Sequence, residues 1–202
     1  SFEAWEKDAM AQQKNEAFSA GFAHASLVDG ELLEGFDQSV WTYSEEGSNA
    51  GGIEISHMRY FEIERFQIRA GHEKEWNDIV KLVKPALIKA NPDTHWAMYY
   101  GVYGVPALTA IVITPLRSAT EIDHAMAQEP KFGAALGDDG MKKLSELSAI
   151  AIESSETNLF AFNPRMSYVE ESWVKADPDF WKPKAAAAPA AKKGAEKPAA
   201  KP

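Results

Sequence analysis

The chain has 202 residues, no cysteine and a formal net charge of −9. The lack of thiols excludes disulfides, cysteine nucleophiles and thiolate metal sites, while 45% hydrophobic residues suffice for a packed core. No apolar run reaches the roughly 18 residues needed to span a bilayer. Before residue 182 the chain carries 15 basic and 29 acidic side chains. This acidic balance argues against nucleic-acid binding, because phosphate contacts need a basic face.

The first 46 residues contain sequence blocks that occur again later in the chain. Residues 9–12, Ala-Met-Ala-Gln, return at 125–128, and the block at 39–43 has a counterpart at 158–162. A repeat of such long period indicates a fold built from copies of one supersecondary unit.

The second copy is longer than the first. Its part over about 58–116 has no counterpart before Ser1. We therefore expect residues 1–46 to form the C-terminal half of a first repeat that lacks its N-terminal half. Residues 47–57, rich in glycine, serine and asparagine, are predicted to be a linker.

The complete second repeat is predicted over residues 58–169, in the order β-α-β-β-α-β. Strands are predicted over 58–69, 95–103, 107–114 and 159–162, and helices over 72–90, 118–128 and 141–152, with a Gly-Asp-Asp-Gly break at 137–140. In the first strand, Phe61 and Ile63 alternate in one phase and Phe66 and Ile68 in the other. This change of phase predicts a β-bulge near Glu64.

The last two segments differ sharply in composition. Residues 170–181 end in Phe180 and Trp181, which we expect to anchor this segment to the body. Residues 182–202 are almost entirely Ala, Pro and Lys and are predicted to be a disordered tail, since they cannot bury enough apolar surface to offset ordering. The basic tail is either solvated or touches an acidic surface.

A tandem β-α-β-β-α-β unit of this kind resembles the dimeric α+β barrel superfamily, which includes NIPSNAP proteins, antibiotic-biosynthesis-type monooxygenases and EthD-like proteins. The chain is also similar to uncharacterised exported bacterial proteins that end in the segments seen here as Met166-Ser167-Tyr168-Val169, Asp177-Pro178-Asp179-Phe180-Trp181 and an Ala/Pro/Lys tail. The resemblance implies two ferredoxin-like sheets placed face to face. It also implies a periplasmic or extracellular location, although no signal peptide is visible in this chain.

The strand over residues 95–103 provides the first candidate site. Alternation places His95, Tyr99 and Tyr103 on one face and the more apolar set beginning with Trp96 on the other. If the Trp96 set faces the helices, the histidine and the two phenols face the cleft between sheets. They could bind a small apolar or aromatic ligand, orient a substrate for proton abstraction, or reach a haem iron. The alternative is a structural polar patch in an interface.

The first strand of this repeat adds Glu62 and Arg65 to the candidates. A carboxylate beside a histidine in a cleft would be a general base, whereas a solvated edge with an ion pair is the alternative. The histidines show no metal-ligand spacing, so no metal is predicted. Haem remains the one cofactor that the resemblance allows.

These observations favour a protein that binds a small ligand in an inter-sheet cleft or self-associates. The alternative is a monooxygenase of the antibiotic-biosynthesis type, cofactor-free or haem-dependent. A truncated first repeat would also present unpaired strand edges. We expect another copy of the chain, or an absent N-terminal half-repeat, to cover them.

Overall fold

The computed structural model describes residues 1–182, so the predicted tail lies, apart from Lys182, outside the described residues. The chain divides into two compact units, Ser1–Val40 and the part from Trp41 onward. The first unit consists of helices α1 (Phe2–Lys14) and α2 (Glu16–Gly30), neither of which has a buried residue. None of the helices formed by residues 1–182 has the length and hydropathy to cross a membrane.

The second unit is an α+β structure with one five-stranded sheet. Its elements are β1 (Val40–Asn49), β2 (Tyr60–Ile68), α3 (Glu73–Ala90), β3 (Trp96–Tyr103), β4 (Thr109–Leu116), α4 (Thr120–Ala151), β5 (Ile152–Ala161), α5 (Glu171–Ala176) and α6 (Pro178–Trp181). The strands lie in the order β1-β3-β4-β2-β5. From β2 to β5 the elements follow the order β-α-β-β-α-β, which is the ferredoxin-like arrangement. The predicted order of this unit is therefore confirmed.

Strand β2 lies inside the sheet and pairs antiparallel with both of its neighbours. Its register with β4 is continuous from Tyr60 to Gln67, and its register with β5 shifts only between Gln67 and Ile68. The bulge predicted near Glu64 is therefore wrong. The two apolar phases lie on opposite faces of an unbroken strand, because both faces of this sheet carry apolar side chains.

Helices α3 and α4 cover one face of the sheet, here called the helix face. The buried core there consists of Ile68, Trp76, Ile79, Val80, Met98, Ala110 and Ala151. The Trp76 ring lies 5.0 Å from that of Phe66. Its indole N–H donates a hydrogen bond to the Tyr100 hydroxyl at 3.0 Å. Burial of each large apolar side chain in such a core contributes about 1.5–3 kcal/mol.

Helix α4 contains the predicted interruption and ends at the start of β5. Gly137 has a φ of 70°, a left-handed conformation that breaks the helix into two parts. The strand begins at Ile152, directly after the helix, whereas the sequence predicted its start at residue 159.

Strand β1 belongs to the second unit and extends into the predicted linker. Near its end, the Ser48 hydroxyl accepts a hydrogen bond from the Met98 amide at 2.8 Å, and the Asn49 side chain donates to the Thr94 carbonyl at 2.7 Å. The Trp96 indole N–H donates to the Gly47 carbonyl at 2.7 Å. Together these bonds hold the end of β1 against β3.

Gly47 is required where β1 approaches β3. A Cβ added at this position would overlap Met98 Sδ and lie 3.2 Å from the Met98 Cβ and Cγ. We expect Gly47→Ala to lower the free energy of unfolding by about 1–3 kcal/mol through overpacking. Denaturant unfolding followed by circular dichroism measures the change. The matched control is Gly51→Ala, because a Cβ there meets nothing within 4 Å. Equal stability of the two variants would contradict this packing.

Candidate functional site

The face of the sheet turned away from α3 and α4 carries a second set of apolar side chains. We call it the open face, and its centre is formed by Phe61 and Ile63 of β2, Ile111 and Ile113 of β4, and Tyr99 of β3. The strand register pairs Ile63 with Ile113 and Tyr99 with Ile111, so these side chains lie side by side. None of the five belongs to the buried core, and each is partly exposed.

Aromatic pairs border the open face at two places. Tyr99 packs edge-on against Tyr43 of β1, with ring centroids 5.5 Å apart. Phe61 packs edge-on against Phe162, just beyond β5, at 4.8 Å. Phe160 of β5 pairs with Phe61 in the strand register and is 52% exposed. The open face is therefore a shallow apolar surface with aromatic margins.

The C-terminal segment packs against the Phe162 end of this face. Trp181 is only 4% exposed, lies 5.1 Å from Phe162, and donates its indole N–H to the Ser56 carbonyl at 2.8 Å. Arg59 lies over the Phe180 ring, 3.9 Å from its centroid, and forms an ion pair with Asp177. The hydrogen bond from Arg59 holds the pKa of Asp177 below its ordinary value.

A cleft of about 650 Å³ opens on the helix face, between the ends of the strands and the first turns of α4. We call it the helix-side cleft. Its apolar wall includes Met58, Leu116, Ile122 and Met126, and its polar wall includes Glu62, His95, Thr114, Glu121 and Gln128. All of these residues belong to the second unit.

The structure divides the five candidate residues between different surfaces. Glu62 and His95 both line the helix-side cleft. Tyr99 and Arg65 lie on the open face, where Arg65 is paired in register with Ile111. Tyr103 ends β3 and is 61% exposed.

His95 is therefore separated from the phenols with which the sequence grouped it. It precedes Trp96, the first residue of β3, so strand alternation does not fix the direction of its ring. The ring is oriented by its Nδ1, which lies 3.3 Å from the Asn49 carbonyl.

Two carboxylates, Glu62 and Glu64, share the helix face of β2. Burial raises the pKa of Glu64, and the nearby charge of Glu62 raises it further. Arg65 follows Glu64 directly in the sequence, so its side chain points to the opposite face by alternation. Glu62 and Arg65, which the sequence placed together as candidates, thus lie on opposite faces of β2, and the neighbour of Glu62 on the helix face is Glu64.

Met126 and Gln128 line the cleft but were not among the residues that the sequence predicted for a site. Both lie in the repeated Ala-Met-Ala-Gln block, and both line the helix-side cleft together with Ala125. The repetition itself was the signal that could have drawn attention to them.

The cleft beside His95 combines the polar side chains of Glu62, Glu121 and Gln128 with the apolar side chains of Ile122 and Met126. Haem stays an expectation of the resemblance alone. Across residues 1–182, no three His, Asp or Glu side chains come together in a group that could hold a metal ion.

The comparison with known proteins gives structural similarity without sequence relatives. No protein-family model matches the sequence, and no curated protein is significantly similar to it. A NIPSNAP family protein of unknown function from Agrobacterium tumefaciens is 16% identical, with a TM-score of 0.39, over 55% of this chain and 96% of that chain. A dimeric protein of unknown function and ferredoxin-like fold from Bacteroides fragilis is 14% identical, with a TM-score of 0.34, over 51% and 95%.

An anthrone oxidase-like protein is 14% identical, with a TM-score of 0.39, over 77% of this chain and 66% of that chain. The chain is thus structurally similar to proteins of NIPSNAP, ferredoxin-like dimeric and anthrone oxidase-like description. At these identities and TM-scores the similarities assign no activity to it.

The raised pKa of Glu64 predicts that stability falls as pH rises. The folded state holds this proton to higher pH than the unfolded state, so the free energy of unfolding decreases between the ordinary and the raised pKa of Glu64. We expect Glu64→Gln to remove this decrease and to be the more stable form at neutral pH. Unfolding in urea at a series of pH values from the ordinary glutamate range upward measures the slope.

The control for Glu64→Gln is Glu153→Gln, which changes an exposed glutamate of β5. It is expected to leave the pH slope of the wild type in place. A Glu64→Gln slope that equals the wild-type slope would show that Glu64 is not buried as described.

Proposed function

We propose that the protein acts as an assembly in which a second copy covers the open face, and that the space between the two sheets binds a small apolar or aromatic ligand. The proposal rests chiefly on the partial exposure of Phe61, Ile63, Ile111 and Ile113 in the middle of the sheet. A sheet with two apolar faces needs a layer on each of them. Contiguous exposed apolar surface marks an interaction site.

A second copy is the occupant that the chemistry of the open face favours. A two-fold axis packs a surface against itself, so that surface has to be self-complementary. The open face carries Arg65 and Glu156, which are paired in register across β2 and β5. Around a two-fold axis, Arg65 of one copy can meet Glu156 of the other while the isoleucines pack between them.

The dimensions of two facing sheets leave room for a ligand. Sheets pack about 10 Å apart when large side chains interdigitate. On β3 the open face has the small residue Ala97, opposite Ile113 in the register. Space over Ala97, bordered by the rings of Tyr43 and Tyr99, would suit a small aromatic molecule.

We also infer that β1 is the last strand of an earlier repeat. Its block at 39–43 matches the block at 158–162, which includes the end of β5, the last strand of the complete unit. In the sheet β1 lies beside β3 at one margin, and β5 lies at the other. On this reading β1, a strand of the earlier repeat, covers the β3 edge of the sheet formed by the complete repeat. The outer edge of β5 has unpaired backbone groups of the same kind, and we expect a strand of another copy to cover it.

Sedimentation velocity over roughly a hundredfold range of protein concentration tests the assembly. We expect the wild-type mass to double with concentration. Ile63→Asp combined with Ile113→Asp would weaken association at least about 100-fold, because two carboxylates would be buried without partners. The matched control is Ile150→Asp on α4, which changes an exposed isoleucine away from the open face. Wild-type protein that stays monomeric throughout would contradict the proposal.

Native mass spectrometry tests the ligand part separately. A small molecule should be retained by the wild-type dimer and lost from the monomeric variant. A dimer that holds no small molecule, in purified protein or after exposure to a library of small aromatic compounds, would leave self-association standing and overturn the ligand.

A further inference from the structure

One residue that lines the helix-side cleft has an acceptor that lacks a donor. Gln128 lines the cleft, and its Oε1 is buried and accepts no hydrogen bond from the described part of the chain. A buried acceptor without a donor is destabilising, because no hydrogen bond replaces the one that water made in the unfolded chain. A small turn of the Gln128 side chain would bring this acceptor to the cleft, where a ligand with an N–H group would supply the missing donor.

The same cleft contains a carboxylate without a cation. Glu62 is half-buried, and within residues 1–182 it forms neither an ion pair nor a hydrogen bond within ordinary limits. Its register partner on β4 is Thr114, which also lines the cleft. A partly buried carboxylate favours a nearby positive charge, because its lost hydration has to be replaced. Burial raises the pKa of the neighbouring Glu64, and the negative charge of Glu62 raises it further.

The other ionisable groups of the cleft do not neutralise this charge inside it. The Arg117 amide donates to Glu121 Oε2 at 3.1 Å, so that carboxylate is held at the start of α4. Arg117 and His124 are both exposed at the rim, as is Asp93. His95 also lines the cleft, with its Nδ1 3.3 Å from the Asn49 carbonyl. Besides this imidazole, the inner polar wall has Glu62, Thr114 and Gln128 as acceptors.

The remaining wall of the cleft is apolar. Met58 and Leu116 are buried beside it, Ile122 is half-buried, and Met126, which is 68% exposed, lies at its rim. A volume of about 650 Å³ lies in the range of small-molecule pockets. The cleft therefore joins an apolar wall to a pair of acceptors, one of which is charged.

We propose that the helix-side cleft is a second binding site, which takes a small primary amine with an apolar body. The ammonium group donates to Glu62 and to Gln128 Oε1, and the body packs against Met58, Ile122 and Met126. An organic cation is favoured over a metal ion, since the described residues offer no group of three His, Asp or Glu ligands. This site goes beyond the proposed function, because it lies on the opposite face of the sheet and needs no second copy.

The repeated Ala-Met-Ala-Gln block at residues 125–128 contributes two residues to this site. Met126 and Gln128 are the second and fourth residues of the Ala-Met-Ala-Gln block. One contributes to the apolar wall and the other contributes the buried acceptor.

Methionine-methyl NMR with 2-phenylethylamine as the probe tests the proposal. The chain has six methionines, of which Met58 and Met126 line the cleft. We expect saturable shifts of these two methyl signals at amine concentrations below about 1 mM, and no shift of the exposed Met166. The neutral analogue 2-phenylethanol should bind at least about 10-fold more weakly, because it lacks the charge that Glu62 attracts.

Two variants separate the charge from general apolar binding. Glu62→Gln keeps the shape of the side chain and should weaken amine binding about 10-fold or more while leaving 2-phenylethanol unchanged. Glu129→Gln, next to Gln128 but outside the cleft, should bind the amine as the wild type does. The proposal is overturned by equal binding of amine and alcohol, by unchanged binding in Glu62→Gln, by shifts that spread to Met166, or by the absence of saturation.

Discussion

Antiparallel pairing of β2 with β4 and β5 sets a constraint on which the other features of the second unit depend. Since the register is unbroken from Tyr60 to Gln67, the side chains of β2 are divided strictly between two faces. Phe66 and Ile68 meet α3 and α4, while Phe61 and Ile63 are directed away from them. A strand that is apolar on both sides belongs in the middle of a layered structure. The helices provide one of the two layers that such a sheet requires.

The two faces support different chemistry. The open face offers aliphatic and aromatic side chains with one opposite-charge pair, Arg65 and Glu156, so it suits a second sheet and an apolar ligand. The helix-side cleft offers carboxylate and amide acceptors beside an apolar wall, so it suits a cation. Because the sheet separates them, the two sites can be occupied and tested independently.

The sequence predicted the β-α-β-β-α-β order because α3 has a clear amphipathic pattern and the Gly-Asp-Asp-Gly segment marks the break in α4. It failed at Phe61–Ile68, where a strand with two apolar faces looks like a strand with a bulge. The sequence also placed His95 on the same face as Tyr99, which is wrong, because strand alternation applies only from Trp96, the first residue of β3, onward. The cleft could not be foreseen from the sequence, because Glu62 and Gln128 come to line one cleft only through the packing of α4 on the sheet.

Covalent carbene footprinting at low and high protein concentration tests most directly the claim that a second copy covers the open face. Labelling reports the exposure of side chains, so the account predicts several-fold less modification of Ile63, Ile111 and Ile113 at the higher concentration. Modification of Ile150 and Met126, which lie outside the open face, should stay constant. Labelling of the three isoleucines that is independent of concentration would contradict the account.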